Sequence, residues 1–92
     1  IDGVFAHSDQ IAAGAMHVLA ESGRRVPADV AVIGFDDSSM ARATNPPLTT
    51  LRQPVGDMAH IAVDMMGDLL AGHGGVMTKQ LLLAPLKIRG SA

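Results

Sequence analysis

The sequence predicts an α/β domain, a partial parallel sheet with flanking helices, from three observations. Val4-Phe5-Ala6 is a short apolar run, and Val30-Ala31-Val32-Ile33 is a longer, β-branched one between Pro27 and Gly34; both read as strands. Between them, Ile11, Ala12, Ala15, Met16 and Leu19 recur at helical spacing. The connections are short, so residues 3–34 form a βαβ unit, with parallel strands and a right-handed crossover.

Each element has a local cause. The first strand is uninterruptedly apolar and reads as buried on both faces. Ser8 is a natural helix N-cap, and Asp9 falls in the first turn, where the helix dipole favours a carboxylate. Gly14 interrupts the helix at a cost of about 1 kcal/mol relative to Ala. Either the helix simply tolerates it, or another backbone packs closely on the Ala13-Gly14 face, such as a neighbouring strand or a second subunit. Gly23 ends the helix, and residues 26–29 form a loop. Gly34 frees space at the end of the second strand. Residues 38–47 read as a loop with one helical turn over 39–43. Pro46-Pro47 stops that turn and stiffens the entry to an extended Leu48–Leu51. Pro54 opens a second helix, whose apolar stripe is Val55, Met58, Ala59, Ala62, Met65, Met66 and Leu69; Gly72 ends it. The methionines read as core filler. His73-Gly74-Gly75 is a turn. Leu81-Leu82-Leu83 and Leu86-Lys87-Ile88 read as short strands broken at Ala84-Pro85.

Composition narrows the function. The 92 residues carry a net charge of −2 and no cysteine, which excludes disulfides and thiolate metal sites. Seven scattered basic residues are a poor footprint for holding nucleic acid unaided. No apolar run approaches the ~20 residues of a membrane span, and no export signal opens the chain, which favours the cytoplasm. Apolar residues make up 48%, but the aromatics are Phe5 and Phe35 alone. A core of small side chains in a chain this short buries only ~60–65% of the unfolded surface. Together with the start at Ile1, this suggests a piece of a longer protein.

The βαβ unit brings His7 and Ser8 near Phe35 and Asp36, on the sheet edge where open α/β sheets bind ligands. A carboxylate at Asp36 suits hydrogen bonds from sugar hydroxyls or a purine; with Asp37 it also suits Mg²⁺ or a phosphoryl group. The bland alternative is a turn cap, and the sheet-edge placement favours the ligand; Asp37 is expected to cap the turn at Ser38. His7-Ser8-Asp9 has the residue types of a hydrolytic triad, but adjacency in sequence is not triad geometry. Asp57, His60 and Asp64 share a helix face, and a solvated face explains them as well as a metal does. No glycine-rich phosphate loop follows a strand, so no cofactor is implied.

Four blocks carry a resemblance. They are Ser8-Asp9-Gln10-Ile11-Ala12-Ala13-Gly14-Ala15-Met16, Val26 through Asp37, Pro47-Leu48-Thr49-Thr50-Leu51-Arg52-Gln53-Pro54, and Leu86-Lys87-Ile88-Arg89-Gly90-Ser91. In order and spacing they resemble the C-terminal part of the lactose-repressor/galactose-repressor family of transcriptional regulators. The resemblance implies a fragment of a two-lobed, periplasmic-binding-protein-like effector domain. Residues 1–51 and 86–92 would belong to its C-terminal lobe and 54–83 to its N-terminal lobe, with Thr50–Gln53 as a hinge strand. The implied ligand is a sugar or related small molecule held between lobes by Asp36 and Ser8, with Asp9 a further candidate. Val55 falls where several members place an aromatic ring, and Val cannot stack on a sugar. The resemblance further implies a non-catalytic homodimer using Ala13, Met16, Met40, Ala43 and Thr44, with operator DNA bound only through a helix-turn-helix outside these residues. The competing readings are a transport-type sugar-binding protein and a Mg²⁺-dependent, receiver-like phosphoryl acceptor.

Overall fold

A computed structural model describes residues 1–72 and 79–92. The elements are β1 (Gly3–Phe5), α1 (Asp9–Glu21), β2 (Ala31–Asp36), α2 (Ser39–Ala43), β3 (Thr49–Arg52), α3 (Val55–Leu70) and β4 (Leu86–Lys87). The strands form one sheet in the order β1-β2-β3-β4. β1, β2 and β3 are parallel, with Val4 beside Val32 and Gly34 beside Thr50; β4 runs antiparallel to β3. The predicted strand–helix–strand unit is therefore present, with its two strands adjacent.

The chain divides into two compact units, residues Ile1–Gln53 with Pro85–Ala92, and residues Pro54–Ala84. The first holds the core: Ala6, Ala12, Met16, Val30, Val32, Ala41 and Leu48, with Val4, Leu19 and Val26 packed against it. α1 packs on β2 and against α2. Ser8 caps α1, its Oγ accepting from the Ile11 N–H at 3.2 Å. Gly23 follows the helix at φ +75°, the left-handed conformation expected of a residue that ends a helix. The C-terminal tail completes the sheet face. Ser91 Oγ accepts from the Thr49 N–H and donates to the Val32 carbonyl, while Val32 N–H donates to the Ser91 carbonyl.

Several expectations are corrected. β1 is not buried on both faces: it lies at the sheet edge, and Phe5 is 66% exposed. β2 runs on to Asp36, three residues past Ile33, because it gains β3 as a second partner. Ile11 is exposed, since the core takes only the Ala12–Met16 side of α1. Among the described residues nothing approaches a Cβ placed on Gly14 within 4 Å, so no described strand explains that glycine.

In the second unit, α3 forms as its stripe predicts, yet none of its residues is buried. Met58 and Met66 are exposed rather than core filler. Leu81–Leu83 is not a strand; among the described residues it has no pairing partner, and it is exposed. The expected turn at His73-Gly74-Gly75 lies outside the described residues. No helix among them is long and apolar enough to cross a membrane.

Candidate functional site

Parallel β1 and β2 deliver their carboxyl ends to one sheet edge, and β3 brings Gln53 beside them. There Phe5, His7, Ser8, Phe35, Asp36 and Gln53 line a cavity of about 460 Å³. Both aromatic side chains of the sequence thus lie at one site, facing four polar residues. An apolar wall with a few convergent polar groups is the usual make-up of a small-molecule site.

Ser8 resolves a competition. Its Oγ is occupied as the acceptor that caps α1, but a hydroxyl has one proton and two lone pairs. The O–H remains free to act as a donor. Asp36 ends β2 with φ +126°, and Asp37 follows with φ +57°. Two successive non-glycine residues in this region cost of order 1–3 kcal/mol each. Asp36 Oδ1 accepts from Gln53 Nε2, and the Gln53 N–H donates to the Asp36 carbonyl. Its carboxylate retains acceptor capacity toward ligand hydroxyls.

Asp37 does something other than cap a turn. Its side chain, 1% exposed, accepts from Arg52 Nε and Arg89 Nη2, each at 2.7 Å, with Arg42 Nη1 at 3.5 Å. Burial alone would raise its pKa; the hydrogen bonds and charges of Arg89 and Arg52 outweigh burial and hold it below the usual carboxylate value. A carboxylate so enclosed by guanidinium groups is closed to Mg²⁺ or a phosphoryl group, which removes the basis for pairing it with Asp36 as a receiver-like site.

Asp9 is also corrected. It is 1% exposed, with Oδ1 accepting from Thr50 Oγ1 at 2.5 Å and Oδ2 from the Ser38 N–H and Oγ at 2.6 and 3.0 Å. The turn at Ser38 is capped by Asp9, not by Asp37. Its carboxylate is spent inside the protein and is not offered to a ligand. Val55 opens α3 in the second unit and is exposed.

Ala13, Met16 and Thr44 line a second concavity of about 240 Å³, with His17, Ala20 and Asn45. Met16 is itself buried in the core, so it offers that surface only an edge. Met40 and Ala43 lie exposed on α2. Asp57, His60 and Asp64 are exposed on α3, and among the described residues no three His, Asp or Glu side chains gather as for a metal ion. Sequence reasoning did not single out Phe5, Phe35 or Gln53. For Gln53 the available signal was its place one residue beyond the strand that pairs with Asp36.

The profile of the periplasmic binding protein-like domain matches residues 2–92. The chain belongs to that family. Its relatives there are transcriptional regulators, in agreement with the four-block resemblance. The regulator CelR of Thermobifida fusca is 40% identical over 91 residues, covering 99% of this chain and 27% of CelR. A solved CelR–cellobiose complex superposes with a TM-score of 0.92 at 39% identity, covering 100% of this chain and 28% of that one. A Lac repressor dimer bound to operator and an anti-inducer gives 0.88 at 37% identity, covering 98% and 31%. The chain spans about a quarter of the length of the curated relatives it matches.

Proposed function

We propose that these residues form the effector-binding and dimerisation part of a LacI-type transcriptional regulator, with a sugar or related small molecule as effector. The observation that carries this reading is one cavity shared by Ser8, Asp36 and the two aromatic rings. A sugar presents hydroxyls around an apolar C–H face. Asp36 accepts from hydroxyls, Ser8 and Gln53 supply donors, and Phe5 and Phe35 offer rings for the C–H face. They provide the aromatic surface that Val55 does not. CelR, a relative, was solved with cellobiose. Asp9 supports the site from behind and does not touch the effector.

Dimerisation uses the α1–α2 face around Ala13, Met16, Met40, Ala43 and Thr44; the concavity there supports this, as does the dimeric state of the related Lac repressor structure. Operator DNA is contacted by a helix-turn-helix outside these residues, and the protein works in the cytoplasm without catalysing a reaction. Residues 54–83 belong to the other lobe of the effector domain, a reading that the division at Gln53 and Pro85 supports. Effector occupancy then biases the arrangement of lobes and, through it, DNA affinity.

The test is calorimetric titration of the full-length protein with cellobiose. Asp36→Ala is expected to weaken binding roughly 10- to 150-fold, the loss of one charge-assisted hydrogen bond of about 1.5–3 kcal/mol. Sedimentation should show the dimer intact. Wild-type affinity in this variant refutes the assignment.

A further inference from the structure

The cavity's two polar anchors are far apart in sequence, and among the described residues no hydrogen bond joins their side chains. Ser8 starts α1 and Asp36 ends β2. What sets their spacing is a group behind the rim. Asp9 is the residue next to Ser8, and its buried carboxylate reaches across to the chain that follows Asp36. Oδ2 takes both the N–H and the hydroxyl of Ser38. Oδ1 takes the hydroxyl of Thr50 in β3, and the same Thr50 oxygen accepts from the Asp37 N–H at 3.4 Å. A hydroxyl that donates to one partner and accepts from another transmits position between them. The two residues after Asp36 are thus both tethered to Asp9, one directly and one through Thr50. Asp36 and Asp37 hold left-handed φ values that side chains rarely adopt unaided, so the turn needs such a tether.

We propose that Asp9 is a positioning residue for effector binding: through Thr50 and Ser38 it fixes the turn that presents Asp36, while its own backbone presents Ser8. The ligand never meets it. This rests on reading the cavity as the effector site.

The experiment uses the full-length protein and the pair Thr50→Val and Thr50→Ser. Valine keeps the shape of the side chain and removes the hydroxyl; serine keeps the hydroxyl. Hydrogen–deuterium exchange without ligand is read on peptides covering residues 35–38, α1 and β3, and cellobiose affinity is measured by calorimetry. Thr50→Val should speed exchange at least 10-fold over residues 36–38, leave α1 near wild type, and weaken cellobiose binding at least 10-fold. Thr50→Ser should restore both to within about twofold. Unchanged exchange over residues 36–38 overturns the proposal, and so does acceleration spread evenly over α1 and β3, which would make Thr50 a general stabiliser. Normal cellobiose affinity despite a loosened turn overturns it as well. A wild-type protein that ignores cellobiose, with exchange loosened locally in Thr50→Val and rescued in Thr50→Ser, would sink cellobiose as effector and leave the tether standing.

Discussion

A Cβ at position 34 would lie 2.6 Å from Asp9 Oδ1 and 2.8 Å from Leu48 Cδ2. Neither neighbour yields easily, because Asp9 is held by three hydrogen bonds and Leu48 is fully buried. Gly34→Ala in the full-length protein should therefore lose about 1–3 kcal/mol of stability, the usual range for overpacking, read from chemical denaturation; a loss below a few tenths would contradict this contact. Asp37 makes a pH prediction. Its folded pKa lies below its ordinary 3.8, so its ion pairs stabilise the protein fully above about pH 5, where the unfolded carboxyl is also ionised. That contribution fades as pH falls through the folded value. Asp37→Asn should flatten the acid limb of the Tm-against-pH curve, and an identical limb in variant and wild type would disprove it. At this scale the shared placement of Ser8 and Asp36 was legible, since a short βαβ unit with adjacent strands forces them to one edge. The sequence hid the roles of Asp9 and Asp37. Their partners, Thr50 and Arg89, lie 41 and 52 residues away, and periodicity carries nothing about pairings of that range.

Elements were legible wherever pattern and punctuation agreed. α1, α2 and β3 came from Ser8, Gly23, Pro46-Pro47 and the apolar spacing between them, and each matches within about two residues. Burial was less legible than existence. A continuous apolar run says that a strand is compatible with a core on both faces, not which strand ends at the edge; β1 shows the difference. Leu81–Leu83 had strand-like composition but no strand partner among the described residues, and composition alone makes no ladder. The loop before β2 is held locally: Arg25 donates to Asp29 from its backbone and guanidinium, which draws the Asp29 carboxyl down to about 2. α3 has helical spacing throughout but no buried residue. Most helical stability in proteins comes from packing of an amphipathic face rather than from intrinsic propensity. A peptide spanning residues 54–72 should thus give a largely disordered circular dichroism spectrum at 25 °C. A strongly helical spectrum would show that intrinsic propensity, rather than packing, sustains this helix.

At the scale of the molecule, the chain divides into two compact units, with breaks after Gln53 and before Pro85. Composition and periodicity alone did not reveal it, because nothing between Thr50 and Pro54 looks like a linker. The tail that returns to the first unit is the other feature that local pattern missed. Ser91 is fully buried and satisfies both the Thr49 N–H and the Val32 carbonyl. Ser91→Ala removes both partners, and each orphaned group costs about 1–3 kcal/mol if water cannot reach it. We expect a loss of at least 1 kcal/mol in the full-length protein by urea denaturation; a smaller effect would mean that solvent enters beside the tail.

The tail bears on the order of events at the ribosome. The first unit draws on residues up to Gln53 and then waits for Pro85–Ala92. Domains usually condense as they emerge, amino end first. Here the βαβ unit can form early, but the amide of Thr49 lacks its Ser91 partner until synthesis of this stretch has released Ser91. Translation pauses within the intervening 31 residues, Pro54–Ala84, would lengthen the exposure of an unfinished sheet, and cells would feel that as chaperone demand.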